Sequence, residues 1–263
     1  MSTVKVHLDY YHPWSNNAGF YLARERGYYL DHGLDVEIFV SDPFRGDSIA
    51  RVAHGEGEFA VNYTNRLLVQ RELGVKVRSV AALNRGPLEA LMSLPDRNIE
   101  RPKDLVGKRV GIPRSPRLLA LLRHLVQKDG GDPDRVSPVE YFPPEPLPTD
   151  IAAGDVDATL GTLWAWEAPL GRAAGIDPVV IKTEDIGSPR FHAMLLITRE
   201  VLVERNPVLV RNFLEATKRG FADVQADIDA GMKVLLRAAP YFTPELLIDA
   251  LEVTAPTWGG PAE

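Results

Sequence analysis

Two tryptophans standing two residues apart with an acid directly behind them, in GTLWAWE at residues 161–167, are the part of this 263-residue chain best suited to hold a flat solute. Indole rings stack on aromatic heterocycles, and an ionised Glu167 accepts hydrogen bonds from an amine or an aminopyrimidine edge. In an extended segment Trp164 and Trp166 share a face, whereas on a helix they stand about 200° apart, so that one packs inward while the other is offered outward. Three other stretches carry comparable groups. YYHPWSNN at 10–17 sets the rings of Tyr11 and Trp14 beside the amide of Asn17, with His12 between them. VNYTNR at 61–66 offers Asn62 and Thr64 as helix caps or hydrogen-bond donors, and Asn84 has the same double character after a later strand. PRSPR at 113–117 puts Ser115 at a helix start between Arg114 and Arg117, a setting that can hold a carboxylate, sulfonate or phosphate or serve as an ordinary cap. With His192 ahead of the last strand, the candidate ligand contacts are Tyr11, Trp14, Asn17, Asn62, Asn84, Ser115, Trp164, Trp166, Glu167 and His192.

These groups fall where strands are expected to end. Residues 4–10 (VKVHLDY) largely alternate apolar and polar side chains, the period of a strand, before a polar and aromatic loop at 11–17. Near-helical spacing from Ala18 to the break at Gly27 predicts a helix, and LDVEIFV at 34–40 a second strand. Asp47 or Ser48 caps a helix ending near His54, residues 59–62 form a third strand, TNRLLVQRELG a helix and 75–83 a fourth strand. Strands alternating with helices predict a mostly parallel sheet covered on both faces.

The turn-rich span 84–105 breaks this rhythm and reads as a crossing into a second lobe. There a strand from Val110 leads to a helix with Ser115 as N-cap and Pro116 at its first position, followed by strands at 137–142, 157–161 and 179–182 and a proline-heavy loop with a short helix at 143–155. HAMLLITR at 192–199 returns to the first lobe, and helices starting near Asn206, Asp223 and Thr243 complete the chain. The organisation predicted is a discontinuous first lobe, 1–86 and 190–263, and a second lobe, 87–189, joined by a two-strand hinge around a cleft lined by strand ends.

Composition narrows the function. With 45% hydrophobic and 25% charged residues the chain reads as globular, and 30 Lys and Arg against 36 Asp and Glu give a net charge of -6, which argues against a nucleic-acid partner. The absence of cysteine removes disulfides, thiolate metal sites and cysteine nucleophiles. Apolar runs such as MLLI at 194–197 fall far short of the roughly 20 residues of a membrane helix. The start, MSTVKVHLDYYHPW, lacks the basic, apolar and cleavage regions of a signal peptide, so none is expected in the sequence as it stands. GEGEF at 55–59 lacks the third glycine of a dinucleotide cradle, GxxxxGK[ST] and GxSxG are absent, and the six histidines form no HExxH or short ligand pair. No metal site and no general acid–base pair are therefore expected.

WSNNAGFYLA at 14–23, GYYLDHGLDVE at 27–37, DLVGKRVG at 104–111, KDGGDPD at 128–134 and GDVDA at 154–158 together resemble the NMT1/THI5-like family, which includes periplasmic substrate-binding proteins of ABC importers for thiamine pyrimidine precursors. The resemblance implies an α/β, type II periplasmic-binding fold whose two lobes close on a ligand. It further implies a pyrimidine stacked on aromatic rings with its amino edge read by a carboxylate, roles that fall on Trp14, on Trp164 or Trp166, and on Glu167. The partners it implies are a small heterocyclic ligand and a membrane ABC permease, with the chain itself a monomer. Its location is then the periplasm or the extracellular face if a leader has been removed, and otherwise the cytoplasm. Carriers of sulfonates, nitrate and flavin precursors are similar in fold, which leaves a small anion as an alternative ligand, and an enzyme of pyrimidine metabolism or a cytosolic sensor as alternative roles. One related enzyme, a pyrimidine synthase, holds pyridoxal phosphate on a lysine and consumes its own histidine. Aligning GEGEFA at 55–60 places Asn62 where that lysine stands and Arg66 where that histidine stands. An amide forms no imine and a guanidinium supplies no imidazole atoms, so neither catalysis nor a cofactor is expected.

Overall fold

The computed structural model describes residues 1–42, 46–142 and 145–259. Part of the expected proline-heavy loop, at 143–144, lies outside the described residues. The chain divides into two units, one of Met1–Arg85 and Phe191–Glu263 and the other of Gly86–Arg190.

The first unit is built on strands β1 (Ser2–His7), β2 (Leu34–Phe39), β3 (Phe59–Tyr63) and β4 (Val77–Ala82) and helices α1 (Ala18–Glu25), α2 (Tyr28–Asp31), α3 (Ser48–Ala53) and α4 (Thr64–Glu72). In the second unit β5 (Glu89–Ser93), β6 (Arg109–Pro113), β7 (Ser137–Tyr141), β8 (Ala158–Leu163) and β9 (Val179–Lys182) accompany α5 (Pro116–Lys128), α6 (Pro148–Ala153) and α7 (Glu167–Ala173). The chain then returns to the first unit with β10 (Met194–Arg199), α8 (Glu200–Arg205), α9 (Pro207–Ala226), α10 (Ile228–Ala238) and α11 (Pro244–Thr254).

The two sheets share one plan, β2-β1-β3-β10-β4 and β7-β6-β8-β5-β9. β1 runs parallel to β2 and β3, and β6 runs parallel to β7 and β8. The strand that arrives from the other unit is antiparallel to both its neighbours: β10 lies between β3 and β4, and β5 between β8 and β9. A mostly parallel sheet was the sequence expectation; these inserted strands make each sheet evenly mixed. β5 escapes the sequence reading because EALMS has no polar alternation: all five residues are buried, as befits a strand covered on both faces.

Local chemistry explains several helix starts. Asp47 Oδ1 accepts from Ala50 N at 2.8 Å, Asn206 Oδ1 from Leu209 N at 3.3 Å and Thr243 Oγ1 from Leu246 N at 3.3 Å, three side-chain caps at expected helix starts. Asp223 does not start a helix. It lies within α9, where its carboxylate takes the Arg26 guanidinium and the Tyr28 hydroxyl, and the cap of α10 is Asp227, whose Oδ1 accepts from Ala230 N at 3.0 Å. Ser115 and Pro116 stand at N-cap and first helical position as expected, but the Ser115 side chain makes no cap hydrogen bond.

In the second unit Val110 and Ile112 of β6 and Leu160 of β8 pack against Leu118, Leu122 and Leu125 of α5. In the first unit α1 and α9 cross at a glycine pair. A Cβ at Gly220 would stand 2.2 Å from the Gly19 carbonyl oxygen and 2.6 Å from Ala23 Cβ, and one at Gly19 would stand 2.2 Å from the Phe221 ring. Backbone cannot give way as a side-chain tip does, so Gly220→Ala is expected to lower the free energy of unfolding by about 1–3 kcal/mol, read from urea titration.

Candidate functional site

In each unit the candidate residues gather at the edge where the parallel strands end, as they do in open α/β sheets that bind ligands. The loop after β1 carries Asp9 to Asn17 in the first unit. There the Trp14 N–H donates to Asn17 Oδ1 at 3.2 Å and Asn17 Nδ2 to Asp9 Oδ1 at 3.5 Å, which fixes the loop against the start of α1. Trp14 and Asn17 are fully buried, whereas Tyr11 is 42% exposed and stacks on Tyr10 with centroids 4.4 Å apart. Tyr11, His12, Tyr21, Phe39 and Tyr241 help line a concavity of about 660 Å³ on this unit, beside the ends of β1 and β2.

Antiparallel insertion of β10 carries more candidates to the same edge, since Met194 opposes Tyr63 and Leu195 opposes Ala82. His192 is exposed and its Nδ1 lies 3.0 Å from the Asn84 carbonyl oxygen. The Asn84 amide is engaged within the unit: its Nδ2 donates to Asn16 Oδ1 at 2.9 Å and Thr257 Oγ1 at 2.8 Å, while its Oδ1 accepts from Asn16 Nδ2 at 3.2 Å. Trp258 Nε1 joins the same Asn16 oxygen at 2.7 Å. Asn62 is likewise engaged, donating to Ser48 Oγ at 2.9 Å and accepting from Tyr63 N at 2.8 Å, and Arg66 is exposed on α4. Thr64 donates to the His192 carbonyl oxygen rather than capping α4.

At the second unit's edge, Gly161 is a β-bulge: Ala90 opposes Thr162 and Leu91 opposes Leu160, leaving Gly161 unmatched at φ +88°. The bulge re-aims the strand end just before LWAWE. Trp164 to Trp166 form neither strand nor helix, so the two indoles part. Trp164 is half-buried against Ala90, Met92 and Ala168, with Lys182 Nζ 4.0 Å from its ring centroid and its Nε1 3.4 Å from the Pro87 oxygen. Trp166 is fully buried. Glu167 opens α7, is 1% exposed and accepts from Leu163 N at 2.6 Å through Oε2.

Leu163 itself opposes Glu89, the first residue of β5. Glu89 was missed by sequence reasoning because nothing flagged β5, and it takes the Arg117 guanidinium at both carboxylate oxygens. Arg114 Nε stands 3.4 Å from Glu140 Oε2, so both arginines of PRSPR have carboxylate partners. Ser115 is half-buried beside them. Among the described residues no group of three or more His, Cys, Asp or Glu side chains is placed to hold a metal ion, and no helix is long and apolar enough to cross a membrane.

Against this geometry stand four likenesses. The NMT1/THI5 like family model matches residues 14–230. A formylaminopyrimidine-binding protein of Halalkalibacterium halodurans is 32% identical over 237 residues, which cover 90% of this chain and 70% of that protein. The 4-amino-5-hydroxymethyl-2-methylpyrimidine phosphate synthase THI13 of Saccharomyces cerevisiae is 25% identical over 259 residues, covering 94% of this chain and 74% of that enzyme. Among solved structures, the periplasmic aliphatic sulphonate binding protein SsuA of Escherichia coli superposes with a TM-score of 0.73 at 14% identity, over 96% of this chain and 83% of that one. The α/β periplasmic-binding fold expected from the sequence motifs is thus the fold found.

Asp9 is a second group that sequence reasoning passed over, hidden in the strand-like run at 4–10. Burial pushes its carboxyl up to about 6, against the opposing pull of hydrogen bonding from Asn17 and Trp14. A folded-state value above the unfolded one contributes stability at low pH that is lost as pH rises through about 6. A displacement of about two pH units corresponds to roughly 3 kcal/mol. Asp9→Asn is therefore expected to raise unfolding free energy at pH 8 by on the order of 2–3 kcal/mol more than at pH 4, measured by denaturant titration at both.

Proposed function

This chain belongs to the NMT1/THI5-like family, and we propose that it is the solute-binding component of an ABC importer, capturing a small nitrogen heterocycle of the aminopyrimidine class outside the cytoplasmic membrane for delivery to a permease. The observation that carries this reading is electrostatic. At the second unit's strand edge, two carboxylates, Glu89 and Glu167, flank Leu163, and the Arg117 guanidinium beside Glu89 is already bound to it. Such an edge accepts hydrogen bonds and repels anions, which suits an exocyclic amine and a ring N–H rather than a sulfonate. The formylaminopyrimidine-binding relative supports the same class of ligand.

The synthase relatives raise the enzyme reading, and the local chemistry at Asn62 opposes it. The residue aligned with the imine-forming lysine is an amide held between Ser48 and the Tyr63 N–H, and Arg66 stands exposed where a histidine would be consumed. Binding without turnover follows as the role: at the second unit's edge Glu167 orients the amino edge, and Trp166 beside it shields the ring from water.

Isothermal titration with 4-amino-5-hydroxymethyl-2-methylpyrimidine and with formylaminopyrimidine is expected to give a dissociation constant of about micromolar or tighter for at least one, with the solute recovered unchanged. Glu167→Gln is expected to weaken that binding about tenfold or more while the melting temperature of the free protein stays nearly constant. Absence of heat and of thermal stabilisation with both pyrimidines overturns the proposal.

A further inference from the structure

Arg117 occupies the second position of α5 with its guanidinium 35% exposed, while the Glu89 side chain beside it is 8% exposed. The pair is two-pointed: Arg117 Nη1 donates to Glu89 Oε2 at 3.2 Å, and Nη2 donates to Oε1. Glu89 is pinned at the start of β5, where its carbonyl oxygen accepts from Thr183 Oγ1 at 3.1 Å. The carboxylate is therefore the fixed member and the arginine the accessible one.

Apart from this carboxylate, the neighbourhood retains the parts of an anion binder. Arg117 Nε is buried and donates to no described group. The first N–H of α5 with a carbonyl four residues back is that of Leu119, bonded to the Ser115 oxygen at 3.1 Å, so those of Arg117 and Leu118 precede the helical ladder. The Ser115 hydroxyl caps nothing. We propose that Glu89 is a specificity-determining residue, which by neutralising Arg117 keeps sulfonates and other small anions off an edge otherwise suited to them and leaves it to uncharged, donor-bearing heterocycles. The proposal rests on the reading that a small heterocycle is captured at this edge and adds to it the residue that sets the ligand's charge. Repulsion of the unwanted class, rather than extra attraction for the wanted one, is how such selectivity is built.

The test measures two probes, ethanesulfonate and 4-amino-5-hydroxymethyl-2-methylpyrimidine, by calorimetry on the full chain and its variants. Wild type is expected to take the pyrimidine and give no heat with ethanesulfonate. Glu89→Gln, which keeps the shape and removes the charge, is expected to bind ethanesulfonate at least tenfold more tightly than wild type. The double variant Glu89→Gln with Arg117→Gln is expected to lose that gain, which a merely structural pair would not produce. Should Glu89→Gln fail to fold, Arg117→Lys keeps the cation, breaks the two-point grip at a partly exposed position and is expected to shift ethanesulfonate binding the same way by a smaller factor. No gain in a folded variant overturns the role of Glu89 while the wild-type pyrimidine heat still upholds the binding function. Wild-type protein that prefers ethanesulfonate overturns both.

Discussion

Antiparallel insertion of one strand into each sheet is the constraint on which the candidate site depends. A parallel β–α–β plan delivers strand ends to one edge and strand starts to the other. Because β10 and β5 run against their neighbours, their starts arrive at the edge where β3, β4 and β8 finish. His192 is thereby placed beside Thr64 and Asn84, and Glu89 beside Leu163 and Arg117. Without the reversed strand the second unit's edge would lack the carboxylate that takes the Arg117 guanidinium. The backbone pairing of β5 also fixes Glu89 more firmly than a loop would, and a fixed carboxylate holds a flexible arginine at less entropic cost than two mobile partners.

The two edges differ in character. The first unit's edge is dominated by amides whose hydrogen bonds close on each other: Asn16, Asn84, Thr257 and Trp258 form one network, and Ser48, Asn62 and Tyr63 another. Buried amides satisfied in this way rigidify a structure, since each lost partner leaves a group whose desolvation costs about 1–3 kcal/mol. The second unit's edge is dominated by ionisable groups, Glu89, Arg117 and Glu167.

Much of this was legible in the sequence where side chains act locally. The alternation at 4–10, the caps at Asp47, Asn206 and Thr243, and the exact span of β9 follow from residues within a few positions of the element. The misses have one physical origin, long-range pairing. EALMS is an unpunctuated apolar run whose strand character appears only beside β8 and β9. Asp223 resembles a cap by type, yet Arg26 and Tyr28, nearly two hundred residues earlier, decide its role. PRSPR announces two free cations, and only the fold reveals Glu89 and Glu140 opposite them. Trp164 and Trp166 were judged on ideal strand and helix geometry, whereas a bulge at Gly161 and an irregular turn set their directions.

Burial adds a kinetic argument to the electrostatic one. Trp14 and Trp166 have no exposed surface and Glu167 has 1%. A solute touches such side chains only in a state that uncovers them, so binding there is linked to a conformational equilibrium and its apparent affinity is reduced by the fraction of molecules uncovered. For a catalyst that coupling slows each turnover. For a carrier, the role proposed, it would be useful, because a solute held behind a buried ring would escape slowly until the uncovered state is favoured, and a partner preferring that state would trigger release without any chemical step. Enclosure of this kind also sharpens selectivity. Were the proposed solute held beside Glu89 and Glu167 and shielded from water, repulsion of an anion would be far stronger than at an open surface, while a neutral ring with donors would meet the same carboxylates favourably. The burial of Trp166 and the pairing that neutralises Arg117 would thus act in one direction, toward the flat, uncharged, hydrogen-bond-donating solute proposed.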